Sequence, residues 1–243
     1  MFKFEARNLR FAYRGRVLAQ DVSFVINPGE ALIIAGRSGC GKSMLLELCA
    51  GLGPSYSGEI LWNDWSIRDM TRHDIMEARQ KIGFVFQKNA LIQNYPIAEN
   101  IALPVRYHYD TPDEDVRCRV RELLGLFGLL DVAGHFPEAL SAGQARCAAL
   151  ARALVLEPDM LFLDEPTGDV DPVTAGLIVR ILKDLRARRK VTCLIISHHT
   201  GLAQELGCSV KVLDRGNIVD LSAYNSEVDG MFPELTSFLH GAV

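Results

Sequence analysis

The stretch GRSGCGKS, Gly36 to Ser43, sets three glycines ahead of a lysine and a serine. GxxxxGK[ST] spacing suits one chemistry. Gly36, Gly39 and Gly41 let backbone N–H groups curl around phosphate oxygens, and a helix beginning near Lys42 points its positive end at them. Lys42 supplies a mobile cation and Ser43 a hydroxyl able to ligate Mg2+, while Arg37, Ser38 and Cys40 complete the loop. Any small side chain serves at Cys40; if its thiol is exposed, the nearby positive field lowers its pKa. A second run, MLFLDEP from Met160, places four apolar residues before Asp164 and Glu165. Strands of a parallel α/β sheet present ligand-binding groups at their carboxyl ends, so both acids should emerge there. Asp164 can hold the metal through water, and Glu165 can orient or deprotonate an attacking water, a role worth about 10²–10⁴-fold in rate. Together the two motifs favour hydrolysis of a nucleoside triphosphate over binding alone.

Such groups need a scaffold. Apolar runs short enough to be buried strands occur at Ala31–Gly36, Ile82–Gln87, Met160–Glu165 and Thr192–Ser197, with another near Val210. Helical patterns fall at Lys42–Ala50, Asp113–Gly125, Ser141–Leu156 and Thr174–Arg188. Strands alternating with helices predict a mainly parallel sheet covered on both faces. FEARNLRFAY and VSFVIN alternate over shorter spans, which predicts an antiparallel flank, whereas residues 88–156 lack strand patterns and predict a helical insertion. With no linker or repeat, the 243 residues read as one α/β domain. Residues 1–87 and 157–243 form its core and β flank, and 88–156 the inserted helical subdomain.

Composition excludes several classes. The formal charge of −4 gives no reason to expect nucleic acid as a partner, and RARRK from Arg186 reads as a solvated helix end. Six cysteines without CxxC pairs or zinc spacing read as reduced, mostly buried thiols. No apolar run is long enough to span a bilayer, and MFKFEARNLRF lacks the pattern of a secretory signal, so the expected location is the cytoplasm.

Further motifs stand in a fixed order around these. Tyr13 lies in FAYRGRVL, Gln87 in FVFQ, Ser141, Gly143 and Gln144 in LSAGQ, GDVD at Gly168–Asp171, and His198 in LIISHH. Singly, Tyr13 reads equally as a strand-end aromatic, Gln87 as a surface amide and His198 as a helix cap. In this order the chain resembles the ATP-binding cassette ATPases of ABC transporters over nearly its whole length, implying a P-loop NTPase (RecA-like) core of the ABC type. The resemblance implies that Tyr13 stacks on adenine, Gln87 senses Mg2+ and couples to the membrane partner, GDVD contacts a second copy, and His198 is the switch histidine. It also implies a head-to-tail dimer in which Ser141, Gly143 and Gln144 meet ATP held by Gly36–Ser43 of the other copy. The catalytic set is then Glu165, His198 and Gln87; the metal set is Ser43, Gln87 and, through water, Asp164.

Two departures from the family pattern stand out. The usual double glycine is Ala142-Gly143, and alanine tolerates a positive φ poorly, which predicts a modest effect on closure. The acid that commonly follows the switch histidine is His199, expected at a solvated helix start. ENIALPVRYH (Glu99–His108), the stretch ALARALVLEPDMLFLDEPTGDVDPVTAGLIVRIL and the tail ending FLHGAV resemble the ATPases of Mla-type, MCE-associated phospholipid transport systems. That resemblance implies the cytoplasmic face of a bacterial inner membrane. The partners it implies are a polytopic permease, an MCE-domain protein and a small cytoplasmic regulatory subunit. The alternatives are another ABC transporter ATPase moving lipoprotein or small molecules, a soluble cassette acting on DNA or ribosomes, or a switch with little catalysis. MFPELTSFLHGAV, from Met231, shows an apolar helical pattern suited to packing or to use as a partner handle.

Overall fold

Runs of five buried residues demand cover on both faces, and the computed structural model, which describes residues 1–53, 55–198 and 201–221, shows how it is supplied. The strands are β1 (Phe4–Tyr13), β2 (Arg16–Ile26), β3 (Ala31–Ala35), β4 (Ser57–Trp62), β5 (Trp65–Ser66), β6 (Ile82–Val85), β7 (Met160–Asp164), β8 (Thr192–Ile196), β9 (Ser209–Asp214) and β10 (Asn217–Asp220). The α-helices are α1 (Lys42–Cys49), α2 (Arg72–Arg79), α3 (Ile97–His108), α4 (Asp113–Leu126), α5 (Ala142–Leu154), α6 (Pro172–Arg189) and α7 (Gly201–Leu206). Among the described residues the strands form one sheet in the order β5-β4-β1-β2-β10-β9-β3-β8-β7-β6. β9, β3, β8, β7 and β6 pair in parallel, whereas β1, β2, β4 and β5 pair antiparallel. The two regions meet where β10 pairs with β2 at Asn217 and Asp21.

Alternation along the central strands divides the interior. Ile33, Leu161, Leu163, Cys193 and Ile195 face one core with Ile101, Leu123, Leu150 and Ile178 of α3 to α6. Leu32, Ile34, Phe162, Leu194 and Ile196 face the other, with Leu45, Leu46 and Leu48 of α1 and Phe4, Leu9, Phe24 and Ile26 of the flank. Each such aliphatic side chain contributes roughly 1.5–3 kcal/mol on burial, so the carboxyl edge of β3, β7 and β8 rests on a stiff platform. Between β6 and β7 the described residues hold α3, α4, α5 and two 3-10 turns but no strand, as the sequence pattern predicted.

Several elements went unread. β5 and β10 are short, β4 buries only its last three residues, and α2 buries no residue, so it offers no apolar stripe; a reciprocal cap between Thr71 and Asp74 starts it instead. The cysteines bear out the expectation only in part: Cys49, Cys147 and Cys193 are buried, Cys40 and Cys208 half-buried, but Cys118 is exposed on α4. The basic run is a solvated helix end as expected at Arg188, Arg189 and Lys190, which are exposed, while the half-buried Arg186 donates to the carbonyl oxygens of Gly29 and Leu206. No described helix is long and apolar enough to cross a membrane. His199 and the segment from Met231 lie outside the described residues.

Candidate active site

The loop after β3 turns on glycines for two separate reasons. Gly36 sits at φ 147°, and a Cβ there would come 2.5 Å from the Leu213 carbonyl oxygen, so the backbone runs against β9 with no room for a side chain. Gly41, at φ 105°, caps α1 in the left-handed region that glycine enters without penalty. No side chain caps that helix and no acid stands in its first turn, leaving its N–H groups open to an anion. Lys42 is buried, and its Nζ donates to the carbonyl oxygens of Gly36 at 2.8 Å and Arg37 at 2.9 Å. Burial lowers its pKa. The thiol of Cys40 is not activated: it is half-buried, and desolvation raises its pKa, outweighing the lowering by Lys42.

Asp164 ends β7 and Glu165 follows in a left-handed conformation at φ 49°, its N–H donating to the Ile196 carbonyl oxygen at 2.9 Å. A non-glycine residue held there signals over-determination by its surroundings. Both carboxylates are buried, and desolvation raises both pKa values; the hydrogen bond from Ser43 and the charge of Lys42 oppose this at Asp164, and the charge of His198 opposes it at Glu165. His198 Nε2 approaches Glu165 Oε1 at 3.2 Å, and the His198 N–H donates to Glu165 Oε2 at 3.3 Å. Glu165 Oε1 nevertheless has no aligned hydrogen-bond partner among the described residues, and neither has Asp164 Oδ1. A cleft of about 330 Å³ is lined by Ser38, Gly39, Gly41, Lys42, Ser43, Gln87, Asp164, Glu165 and His198, joined by Leu18, Met44, Glu47 and Ile196. Leu18, against which a Cβ at Gly41 would come within 3.0 Å, and Glu47, a further carboxyl whose pKa burial and Asp164 raise, were not anticipated.

Mg2+ fits this donor set. The hydroxyl of Ser43, the unpartnered Asp164 Oδ1 and the Gln87 amide are hard oxygen donors in one cleft.

Other expected residues stand apart from the cleft. Tyr13 ends β1 with its ring 48% exposed and Arg14 stacked 5.3 Å from its centroid; it does not line the cleft. Nor do Ser141, Gly143 or Gln144. Ser141 caps α5: its Oγ accepts from the Gln144 N–H at 3.2 Å, and Gln144 Oε1 accepts from the Ser141 N–H at 2.9 Å. The anticipated difficulty at Ala142 does not exist, because Ala142 opens α5 and is absent from the residues of positive φ. Gly143 matters through contact instead: a Cβ there would meet Thr174 Oγ1 at 3.0 Å and Asp171 Oδ2 at 3.3 Å. Asp171 caps α6, its Oδ1 accepting from the N–H groups of Val173 and Thr174 at 3.0 Å each.

Sequence reasoning missed three polar anchors, of which Arg146 and Asn100 are buried and Arg152 is half-buried. Arg146 and Arg152 of α5 donate to backbone carbonyls of residues 86–90. Asn100 of α3 is fully buried, accepting from the Ile92 N–H at 2.7 Å and donating to the carbonyl oxygens of Ile92 and Tyr95. Within an amphipathic helix such residues look like solvent-facing polar positions.

The family described as ABC transporter matches residues 19–168, a span running from β2 through the phosphate loop to Gly168. The chain belongs to the ABC transporter ATP-binding cassettes. This cassette is 32% identical over 237 residues to the intermembrane phospholipid transport system ATP-binding protein MlaF of Escherichia coli K12, covering 98% of this chain and 88% of that one. It is 37% identical over 217 residues to the methionine import ATP-binding protein MetN of Carboxydothermus hydrogenoformans, covering 88% of this chain but 64% of that relative's length. Among solved structures it resembles the dimeric bacterial ABC transporter cassette MJ0796, with a TM-score of 0.81, 31% identity, and 90% of this chain and 96% of that one covered. A post-hydrolysis dimer of MJ0796 bound to ADP and Pi aligns at the same TM-score with 30% identity, covering 90% of this chain and 98% of that one. The cassette is therefore an ABC-type ATPase.

Proposed function

We propose that two copies of this cassette pack head to tail and hydrolyse Mg-ATP in composite sites, driving a membrane permease. One observation carries the reading: Ser141–Gln144 at the start of α5 do not line the cleft of Lys42, Asp164, Glu165 and His198, which leaves that turn for a phosphate held by a second copy. The dimeric MJ0796 structures support it. On arrival of the triphosphate, the open amides of the loop and of α1 take its oxygens, and Lys42 exchanges the carbonyls of Gly36 and Arg37 for phosphate. Ser43, Asp164 through water and Gln87 would hold Mg2+, which supplies charge neutralisation at the phosphates. Glu165, ionised and braced by the His198 N–H, orients the attacking water and accepts its proton. Tyr13, exposed at the end of β1, supplies the ring that stacks on adenine. The 1–87 and 157–243 portions act as the nucleotide-binding core, and 88–156 as the arm carrying the partner-facing turn.

For cargo, near-complete coverage of MlaF favours phospholipid or another lipid, working at the cytoplasmic face of an inner membrane with a polytopic permease, an MCE-domain protein and a small regulatory subunit. The identity to MetN keeps small-molecule import as the second reading. ATPase rate against protein concentration tests the composite site: a specific activity independent of concentration refutes it. Capture of the assembly from native membranes, with identification of bound lipid, separates the two cargo classes.

A further inference from the structure

One helix grips the segment after β6 at four carbonyls. Arg146 is 4% exposed and donates from Nη1 to the Phe86 carbonyl oxygen at 3.0 Å and from Nη2 to that of Gln87 at 2.8 Å. Less than two turns later, Arg152 donates to the carbonyl oxygens of Ala90 at 2.7 Å and Asn89 at 2.8 Å. Asn89 and Ala90 lie at φ 60° and 48°, conformations that persist where surrounding structure holds them. Stability is a poor explanation for Arg146. Water could satisfy carbonyls at the exposed Gln87, and an apolar side chain in place of a buried charge is often neutral or stabilising. The guanidinium is moreover imperfectly satisfied, its buried Nε having no acceptor among the described residues. The charges of Asp164, Asp169 and Glu165 favour its protonated form. Position explains what energy does not: Arg146 belongs to the helix that begins at the partner-facing Ser141, and it holds the backbone of Gln87, whose side chain lines the cleft.

We propose that Arg146 is a positioning residue acting through Gln87: its paired hydrogen bonds couple the tilt of α5 to the depth of the Gln87 amide in the cleft. Docking of a partner's phosphate on Ser141 thereby adjusts how the subunit that offers the turn contacts the nucleotide in its own cleft. The inference rests on the composite ATPase reading above.

A double-mutant cycle in the full chain tests it, with kcat and KM for Mg-ATP and the affinity for a fluorescent ATP analogue measured for each variant. Arg146→Met and Gln87→Ala should each lower kcat about tenfold or more while KM and analogue affinity move less than about threefold. Combined, they should fall no more than about threefold below the worse single variant, because the second change removes what the first already misplaced. Arg152→Met, whose bonds lie two and three residues further on, should multiply with Gln87→Ala instead. Arg146→Lys, which keeps the charge but loses the paired fork, should be intermediate and completes the cycle if the methionine variant aggregates. Multiplying losses at 146 and 87, an unchanged kcat in Gln87→Ala, or KM rising in proportion to the loss would overturn the coupling alone. Absent turnover in the wild type, or full turnover in Glu165→Gln, would overturn the ATPase reading and this inference with it.

Discussion

Adding one methyl group at Gly143 sets two effects of similar size against each other. The new Cβ would stand 3.0 Å from Thr174 Oγ1 and 3.3 Å from Thr174 Cγ2, so the threonine must rotate. Rotation breaks its 2.6 Å hydrogen bond to Asp171 Oδ2 while leaving the two amides on Asp171 Oδ1 in place. One such exposed bond is worth about 0.5–1.5 kcal/mol. Replacing glycine by alanine in a helix returns up to about 1 kcal/mol. Gly143→Ala should therefore be close to neutral in urea unfolding, within about 0.5 kcal/mol, with an unchanged m-value. In a Thr174→Ala background the collision is gone, and the same methyl should stabilise the chain by about 0.5–1 kcal/mol. Turnover should separate from stability: a shift of a few tenths of an ångström at the start of α5 should lower kcat about tenfold in the single variant and less in the double. Identical effects of the methyl in both backgrounds would refute the contact argument.

Lys42→Ala should lose ATP affinity by about two orders of magnitude in a fluorescent-nucleotide titration, since the phosphates lose their buried cation. Glu165→Gln should still bind ATP, accumulate as a dimer in sedimentation, and turn over about 10²–10⁴-fold more slowly. Burial raises the pKa of both Asp164 and Glu165, so each favours the fold when protonated; that stabilisation is complete below the ordinary carboxyl range and is lost as pH rises through the raised folded values. Asp164→Asn should consequently raise the Tm of the nucleotide-free chain near neutral pH by a few degrees, about 2–4 °C, and give no gain in acid. Activity should have an acid limb that lies above the usual glutamate range. N-ethylmaleimide should modify the exposed Cys118 before Cys40, and bound ATP should slow the second reaction; preferential labelling of Cys40 would contradict its raised thiol pKa.

The parts legible in the sequence were those where one local rule decides. Five-residue apolar runs announced β3, β7 and β8 because both sheet faces are covered, and the phosphate loop and Asp164-Glu165 followed from where those strands end. Spacing alone could not reveal partners distant along the chain. Arg146 finds Phe86 and Gln87 across 60 and 59 residues, and Leu18 meets Gly41 only after the flank folds beside the loop. The concern over Ala142 treated the turn as an irregular loop, whereas the reciprocal cap between Ser141 and Gln144 makes the residue helical from the outset. Tyr13 follows from motif order alone: its ring stands exposed at the end of β1, where no burial pattern marks it.

A lysine tethered to two carbonyls before any nucleotide arrives has a kinetic meaning. Its long stem, which free in solution would sample many rotamers, is already frozen toward the loop, so association asks for an exchange of acceptors rather than for the ordering of a floppy cation. Capture should then run at a rate set by diffusion and by the loop's own breathing, with discrimination among anions showing up in how long they stay.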